Sequence, residues 1–354
     1  MNRTSNSLFV AALLLLSIVS ISHARTWYVK ADGTGDTPTI QAAIESAAQD
    51  DSILVGPGVY SWSNQGTGDE YGMIRIMRDW PAMTIASEQG AEMTILDGEN
   101  RGRIFFYQGH YPDFPGGLII DGFTFTRGTP TQAGNLVGGG FTAHLSSPII
   151  KNSIFKYNSA TQGGAYWYGG WGAPQLIDCL FEGNSARHGG AVLFVNSPLT
   201  CLVSNCVIQN NTVTGNGAGL FGYNVPLVME NCTISRNISS SDGGGIALQN
   251  CEPSSVSFCT FYKNEAASGG GIALLSATDL MVNNTIIANS VSGGAAALHE
   301  TTSMLFSCSD LFGNHGRPLG VALIPVEHLQ TLALVLGLAL GVHRQLAAVA
   351  PDRG

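Results

Sequence analysis

The chain has 354 residues and a formal net charge of −9; 12% of its residues are charged and 45 are glycine. This acidic balance repels phosphate backbones and excludes a protein built to bind nucleic acid. Many glycines and few charges favour tight turns and thin stacked strands over amphipathic helices with charged faces.

The first 24 residues have the pattern of a secretory signal peptide. Arg3 precedes an apolar run over residues 8–21, and Ser22 and Ala24 put small residues at both key positions of a cleavage site. The run is short for a spanning helix, so we expect no membrane span after cleavage. The mature protein is therefore predicted to be secreted, or held at the cell surface in association with an outer membrane.

Residues 26–60 are predicted to cap the start of a solenoid. Thr37 and Pro38 offer an N-cap and a first-turn residue, and the apolar residues that follow recur at helical spacing. They are Ile40, Ala43, Ile44 and Ala47. A buried strand follows at residues 52–55. A short helix here would cover the backbone groups that the first coil leaves exposed.

Residues 61–150 indicate less regular coils of the same kind. The segment 123–128 resembles the Phe-x-x-Asn segments found later in the chain, with Gly in place of Asn. Two Asp-Gly turn dipeptides, at residues 97–98 and 121–122, are 24 residues apart, and we expect them to stack.

The main signal is an asparagine that recurs through residues 151–314 at intervals of 25 to 27 residues, each time three positions after Phe, Ile or Leu. A fixed period identifies one structural unit that buries its apolar face against copies of itself. Stacked amides about 4.8 Å apart can bond to one another, which predicts a structural ladder. Its predicted members are Asn158, Asn184, Asn211, Asn237, Asn264, Asn289 and Asn314.

Each repeat contains two or three short strands separated by turn signals. Near the marker asparagine, apolar and more polar positions alternate with period two, and glycines four to eight residues later precede a second apolar strand. A coil of about 26 residues leaves no room for a crossover helix, so successive coils must stack in parallel. The predicted fold class is all-β: a single-stranded parallel β-helix over residues 25–314, with a short N-terminal capping helix.

Residues 166–171 place four aromatic side chains where other coils carry aliphatic ones. Flat rings can lie against the apolar faces of sugars, and indole N–H and phenol groups can then donate hydrogen bonds. The alternative is that some of the rings fill the core or cover a wide turn. The predicted glycan-binding residues are Tyr166, Trp167, Tyr168 and Trp171.

Four cysteines share one column of the repeat, and they are Cys179, Cys206, Cys232 and Cys259. Parallel side chains in register need adjustment to reach disulfide geometry, so we expect buried thiols that act as small core residues. Cys201 and Cys251 are assigned to loops. No Cys/His spacing resembles a zinc site, and neither a metal nor a cofactor is predicted.

Residues 315–354 do not follow the repeat. They contain no Asn, Ser, Cys, Phe, Tyr, Trp, Met or Lys and are dominated by Leu, Ala, Val, Gly, Arg and Pro. Three interpretations apply: an out-of-frame reading of the gene, a C-terminal capping helix, or a membrane-seeking segment. The first is favoured, then the cap, because the apolar run at residues 331–342 is short for a spanning helix.

Two motifs make the chain resemble the pectin-lyase-like superfamily of right-handed parallel β-helices. Residues 39–44, followed by residues 53–60, are similar to the entry segment of many exported β-helix proteins. Repeats such as residues 181–184 followed by residues 189–192 resemble those of polymorphic outer membrane proteins. The likeness covers about residues 26–314 and implies a right-handed β-helix. It implies little about activity, because such folds serve as enzymes, adhesins and stalks.

No catalytic residue is predicted. Asp97, Asp121 and Arg127 could be drawn together as the calcium and arginine site that a likeness to pectate lyases implies, but turn geometry explains the two aspartates more simply. His188 lies in a glycine turn that every coil repeats. We therefore expect an exported, non-catalytic scaffold that binds polysaccharide or cell-surface glycan, or acts as an adhesin. The alternative is a lyase or glycoside hydrolase acting on an extracellular polysaccharide.

Overall fold

The computed structural model describes residues 24–65, 70–77, 83–109, 117–131, 136–251, 253–276, 278–299 and 302–315. The predicted signal peptide, apart from Ala24, and the atypical tail, apart from His315, lie outside these ranges. The described residues form a solenoid of parallel strands, in which each coil pairs with the coils before and after it.

Three long sheets run along the solenoid, and the chain visits them in turn. In stacking order, the strands of the first sheet are Thr26–Val29, Ser52–Val55, Met83–Ser87, Leu118–Asp121, Ile149–Lys151, Gln175–Ile177, Cys201–Ser204, Leu227–Glu230, Ser254–Ser257, Asp279–Asn283 and Ser303–Ser307. Those of the second sheet are Gly58–Ser61, Thr94–Asp97, Thr124–Thr126, Ile154–Lys156, Leu180–Glu182, Val207–Gln209, Thr233–Ser235, Thr260–Tyr262, Ile286–Ala288 and Asp310–Phe312.

The third sheet follows the glycine turns of each coil. Its strands are Ile74–Met77, Phe105–Gln108, Phe141–His144, Tyr166–Gly169, Val192–Val195, Leu220–Tyr223, Ile246–Gln249, Ile272–Leu274 and Ala296–Leu298. A short fourth sheet lies between the second and the third and consists of Ser185–Ala186, Thr212–Val213 and Ile238–Ser239. The predicted fold class is confirmed.

The turn from the first to the second sheet uses one residue with positive φ in each regular coil. The residues at this position are Asn152, Asp178, Asn205, Asn231, Phe258, Asn284 and Cys308. Asparagine and aspartate tolerate the left-handed region because their short side chains can bond locally. Phe258 and Cys308 adopt the same angle without that advantage, which indicates that stacking on neighbouring coils imposes it.

The interior is filled by inward-facing files of like residues. Phe125, Phe155 and Phe181 stack in one file, with ring centroids 4.5 and 4.9 Å apart and nearly parallel planes. All three are 0% exposed. Aromatic pairs in this arrangement contribute about 0.5–1.5 kcal/mol beyond the burial of their area. The core is therefore a set of vertical stacks, each held by the register of its sheet.

The N-terminal cap forms as predicted, with a shifted start. The helix is Ile40–Ser46, and its N-cap is Thr39, not Thr37. The Thr39 side chain accepts a hydrogen bond from the N–H of Ala42, three residues later, which is the usual bond of an N-cap residue. The helix packs against the first strands of the first and third sheets. A second helix, Trp62–Gln65, places Gln65 Oε1 3.0 Å from the N–H of Ile40.

The asparagine ladder is present, but one member was assigned one residue too early. Nδ2 of Asn184 and of Asn211 lie 3.0 and 2.9 Å from Oδ1 of the next asparagine in the file. In the later coils, Ile287 pairs with Phe261, so Ser290 takes the ladder position. Asn289 instead adopts a φ of 52° at the turn beside the ladder. The ladder in the described chain consists of Asn158, Asn184, Asn211, Asn237, Asn264, Ser290 and Asn314.

The two Asp-Gly dipeptides do not stack. Asp97 ends a strand of the second sheet and pairs with Thr126, whereas Asp121 ends a strand of the first sheet and pairs with Lys151. The spacing of 24 residues between the two dipeptides was misleading, because the early coils differ in length from the regular ones. The Phe-x-x-Gly segment was interpreted correctly, since the N–H of Gly128 donates to Oδ1 of Asn158.

The cysteines are free thiols, and six of the seven are buried. The hydrogen bond with the stacked Cys206, and then burial, raise the pKa of the Cys232 thiol to about 12, so the thiol stays protonated. Cys201 and Cys251 are also 0% exposed. Cys201 begins a strand, which corrects its assignment to a loop, whereas Cys251 lies between two strands as predicted. In the part of the chain that the structure describes, no helix has the length and hydropathy needed to cross a membrane.

Candidate functional site

The outer face of the third sheet carries apolar side chains, which is unusual for a face that points away from the core. Leu193, Phe221, Ala247 and Ala273 form a cluster of their own, separate from the main core, and are 0–8% exposed. They occupy the second position of successive strands, where period-two alternation directs the side chain outward. We call this file the floor, and its members are Phe106, Thr142, Trp167, Leu193, Phe221, Ala247 and Ala273.

Two further files flank the floor as the sides of a narrow groove, and they largely cover it, because Leu193, Phe221, Ala247 and Ala273 are 0–8% exposed. The rim precedes each glycine turn and consists of Gln162, His188, Asn216, Asp242 and Ser268. The far wall lies at the other end of each strand and includes His144, Val195, Tyr223, Gln249, Leu275 and His299. The glycines between rim and floor have positive φ, such as 63° at Gly189 and 66° at Gly243. A residue with a side chain adopts these angles rarely, so the sharp turn that lifts the rim depends on glycine.

Trp167 is the largest side chain of the floor. A Cβ atom at Gly169 would lie 2.1 Å from Cη2 of the indole, so the ring occupies the space that a side chain at position 169 would take. The indole also contacts the His144 ring, with centroids 4.6 Å apart. Its Nε1–H has no hydrogen-bond partner among the described residues. A buried donor of this kind favours any arrangement that brings it an acceptor.

The N-terminal end of the groove is formed around Arg103, which is 2% exposed. Its Nε donates to the carbonyl of Val137 at 2.9 Å and its Nη1 to that of Tyr71 at 2.7 Å. The guanidinium lies 5.4 Å from the centre of the Phe106 ring. Burial lowers the pKa of Arg103 to about 10. Burial, and then the Arg103 charge, lower the pKa of His144 to about 4, so His144 is neutral at pH 7.

His188 is also held in its neutral form. Burial and the charge of Arg187 lower its pKa, and its Nδ1 accepts a hydrogen bond from the N–H of Asn216 at 3.1 Å. An accepting Nδ1 places the proton on Nε2. His188 therefore offers a donor at the rim, beside the Phe221 ring at 5.7 Å.

Asp242, Ser268 and His299 meet at the C-terminal end of the groove. Nε2 of His299 is 3.3 Å from Ser268 Oγ and 3.3 Å from Asp242 Oδ1. Ser241 Oγ donates to the other carboxylate oxygen of Asp242 at 2.9 Å. In a serine hydrolase relay the carboxylate and the nucleophile bind opposite ring nitrogens. Here both bind the same nitrogen, so the arrangement does not match that relay.

The structure divides the four predicted glycan-binding aromatics between two faces. Tyr166 and Tyr168 are 0% exposed and point into the core, because they occupy the first and third positions of their strand. Neither ring can offer a face to a sugar, and both are removed from the predicted surface. Trp167 lies on the groove floor, and Trp171 is 51% exposed in the turn after the strand.

The acidic trio is not assembled. Arg127 Nε donates to Asp97 Oδ1 at 2.9 Å, whereas Asp121 contacts Asn152 at 2.7 Å and Lys151 at 3.2 Å. Each carboxylate therefore has its own partners in a different sheet. Across the described ranges, no group of three or more His, Cys, Asp or Glu side chains is placed to hold a metal ion.

Sequence reasoning missed most of the groove. The pattern predicts a second apolar strand after the glycines of each coil, but the prediction does not separate the inward and outward positions of that strand. Period-two alternation would have placed Val192 and Phe194 inside and Leu193 outside. The convergence of Asp242, Ser268 and His299 left no local signal, since the residues lie in three different coils.

The comparisons with known proteins concern the fold. Residues 202–321 match a family model described as right handed beta helix region, and no curated protein matches the chain. Solved structures that resemble it include pectin methylesterase from carrot, with 14% identity, 86% of this chain and 89% of that chain covered, and a TM-score of 0.41.

Two further solved structures give similar values. Pectate lyase Pel9A has 13% identity, with 89% of this chain and 86% of that chain covered and a TM-score of 0.41. Alginate lyase from Paenibacillus sp. str. FPU-7 has 11% identity, with 84% of this chain and 99% of that chain covered and a TM-score of 0.38. At these values the likeness says nothing about activity. By its own strand register and by the family match over residues 202–321, the chain is a right-handed parallel β-helix protein.

Proposed function

We propose that this protein is an exported, non-catalytic β-helix scaffold that binds polysaccharide in the outer groove of its third sheet. The observation that carries the proposal is Trp167, whose indole lies on the outer face of the third sheet and is partly exposed there, unlike the neighbouring Leu193. A large, partly exposed ring beside apolar neighbours suits the apolar face of a sugar.

The side chains around Trp167 support the same conclusion. The floor is apolar from Trp167 to Ala273, and the sides supply amides, a phenol and a neutral imidazole from Gln249, Asn216, Tyr223 and His188. Ligand sites commonly combine an apolar surface with a few placed polar groups. A groove that repeats once per coil suits a polymer that also repeats.

Export is supported by the signal-peptide pattern of residues 1–24. The non-catalytic role is supported by the arrangement of the acids. Asp97 is paired with Arg127, Asp121 with Lys151 and Asp242 with His299, so no two of these three carboxylates share one site. Glycoside hydrolysis usually needs two carboxyl groups that flank one bond.

Binding of the secreted chain to a panel of polysaccharides tests the proposal, with Trp167→Ala and the double variant that adds Trp171→Ala. We expect Trp167→Ala to weaken binding about five- to tenfold, in line with an aromatic contact of about 0.5–1.5 kcal/mol beyond the area lost. Tyr157→Asn is the control: Tyr157 is 60% exposed on another face, and Asn tolerates its φ of 57°.

Three results would each contradict one part of the proposal. Failure to bind any polysaccharide would end the glycan-binding role. Release of uronic acid or of new reducing ends from a bound polymer would replace the scaffold with a lyase or a glycoside hydrolase. Retention of the wild-type chain inside the cell would overturn export alone.

A further inference from the structure

We propose that the corner between the first and second sheets, in the last coils of the solenoid, is the contact surface of a symmetric dimer of this chain. The two copies lie side by side and point the same way along the solenoid. The inference is independent of glycan binding. It follows from an exposed phenylalanine in an unfavourable turn conformation, from its apolar neighbours and from the charges on either side of the corner.

Phe258 occupies a turn position where a bulky side chain is unfavourable. Its φ is 56°, and the residues before and after it in the same file are Asn231 and Asn284. Asparagine tolerates the left-handed region, whereas a bulky side chain is strained there. Phe258 gains little by burial, since 61% of the residue is exposed. A strained and exposed aromatic side chain indicates a contact outside the monomer.

Two further apolar side chains continue the exposed surface on the next coil. Met281 is 39% exposed on the first sheet, where it pairs with Ser255, and Ile286 is 40% exposed on the second sheet, where it pairs with Thr260. Phe258 lies at the turn between those two paired strands. We call Phe258, Met281 and Ile286 the corner patch. Exposed apolar side chains grouped around an aromatic residue are typical of protein contact surfaces.

The charges beside the corner patch differ in sign between its two sides. On the first-sheet side, Asp279 precedes the turn residue of its coil by five positions, and Glu230 directly precedes that of another coil. On the second-sheet side, Arg236 and Lys263 follow the turn residues of their coils by five positions. All four are exposed, and none takes part in an ion pair within the described ranges. These charges are therefore available to a partner.

A second copy of the chain complements these charges. A two-fold axis parallel to the solenoid sets the first-sheet side of each copy against the second-sheet side of the other, so that Asp279 faces Lys263 from an adjacent coil, about 4.8 Å along the axis. A two-fold axis perpendicular to the solenoid would place acid against acid. Asp310 is an acid on the second-sheet side, but it faces the uncharged strand Ser303–Ser307. Charge complementarity therefore selects the parallel arrangement.

The parallel axis also brings Cys308 close to its own copy. Cys308 belongs to the same turn file as Phe258, two coils further along the solenoid. Residues of this file lie at the corner itself, so the axis runs beside them and sets like residues opposite each other. Among the seven cysteines, all of which the structure describes, Cys308 alone is exposed. Its thiol therefore reports the geometry of the dimer.

Sedimentation velocity of the full secreted chain over a range of concentrations tests the proposal. We expect reversible dimerisation, and Phe258→Asn should weaken it about tenfold or more, because an aromatic anchor is lost. The same substitution should leave the thermal midpoint unchanged or raise it, since Asn suits the turn. A purely structural Phe258 would give the opposite pattern, with a lower midpoint and intact association. Tyr157→Asn is the matched control, because Tyr157 is also exposed with a φ of 57° but lies on another turn file.

Charge exchange and cross-linking test the arrangement of the two copies. Lys263→Glu should weaken the dimer, and the double variant that adds Asp279→Lys should restore it, because the exchanged pair is again complementary. A short bis-maleimide should join two wild-type chains through Cys308 and should fail with Cys308→Ser. A dimer that shows neither the restoration nor the cross-link would overturn the parallel arrangement.

Two results would overturn the dimer surface as a whole. One is a chain that stays monomeric at every concentration, even if a polysaccharide or another protein binds at Phe258. The other is a dimer that Phe258→Asn leaves as tight as the wild type.

Discussion

Each ladder asparagine holds several backbone groups that the coil removes from water. Oδ1 of Asn211 accepts from the N–H and from Nδ2 of Asn184, and Nδ2 of Asn211 donates to the carbonyl of Phe181. Asn211 is 0% exposed, so water cannot replace these bonds. A buried polar group left without a partner costs about 1–3 kcal/mol. The ladder asparagines are therefore required for the stability of the fold.

Replacing Asn211 by Ala should lower the free energy of unfolding by roughly 2–4 kcal/mol, since it leaves groups of Asn184 and Phe181 unpaired. Denaturant unfolding followed by circular dichroism measures the loss. Asn210→Gly is the matched control, because Asn210 is exposed with a φ of 57°, which glycine adopts freely. Equal losses in the two variants would mean that the ladder bonds contribute nothing.

His144 should make stability depend on pH. Its pKa is about 4 in the folded protein against an ordinary value of 6.5, so between these values the unfolded chain binds more protons. Stability is then complete above pH 6.5 and falls as the pH drops toward 4, by on the order of 2 kcal/mol for a partly buried ring. His144→Gln should flatten this part of the curve. An unchanged slope in the variant would refute the depressed pKa.

Asn289 shows that residue type alone does not decide which residue occupies a ladder position. The repeat shortens to 25 residues in this coil, and the chain offers Asn289 and Ser290 side by side. Counting in sequence selected the asparagine, but burial of Ile287 places Ser290 in the ladder. A shift of one residue exchanges the inner and outer faces of a strand, so the apolar side chain decides the register.

At the scale of the element, the glycine turns bring neighbouring coils into backbone contact. A Cβ atom at Gly244 would lie 2.4 Å from the carbonyl oxygen of Glu265 and 2.6 Å from that of Gly270. Both oxygens belong to the next coil and are fixed by its own pairing. Gly244 has no positive φ in this structure, so the demand for glycine here arises from space and not from the backbone angle.

Gly244→Ala should therefore destabilise the protein by about 3 kcal/mol or more, because two coils must separate to admit the methyl group. Gly90→Ala provides the contrast. Gly90 has a φ of 83° with no atom within 4 Å of its Cβ position, so its variant should lose only about 1–2 kcal/mol through the backbone angle. Thermal unfolding compares the two. A smaller loss at Gly244 than at Gly90 would contradict the close approach.

The strands of the third sheet show which structural features the sequence pattern alone can predict. The alternation Tyr166, Trp167, Tyr168 determines which rings enter the core once the register of the sheet is known. The strand and its turn were predictable, since glycines and apolar runs mark them in every coil. The contact of His299 with Ser268 and Asp242 was not predictable, because these residues lie 31 and 57 positions earlier in the chain, in two other coils.

At the scale of the whole molecule, the solenoid behaves as a one-dimensional stack. Each strand pairs with its counterparts one coil before and one coil after, so the stability of a coil depends on its two neighbours. The inward file of the second sheet illustrates the dependence. Phe261 and Ile287 are 0% exposed, whereas Leu311, next in that file, is 39% exposed.

Amide hydrogen exchange should therefore be graded along the stack. We expect amides in Asp310–Phe312 to exchange faster than those in Thr260–Tyr262, although both strands belong to the same sheet and have the same length. The strand Thr260–Tyr262 is paired with a neighbouring strand on each side, so opening it must break the backbone hydrogen bonds to both neighbours. Uniform protection along the file would mean that the coils open as one cooperative unit. In that case the nearest-neighbour description fails, and a substitution such as Asn211→Ala should destabilise distant coils as much as adjacent ones.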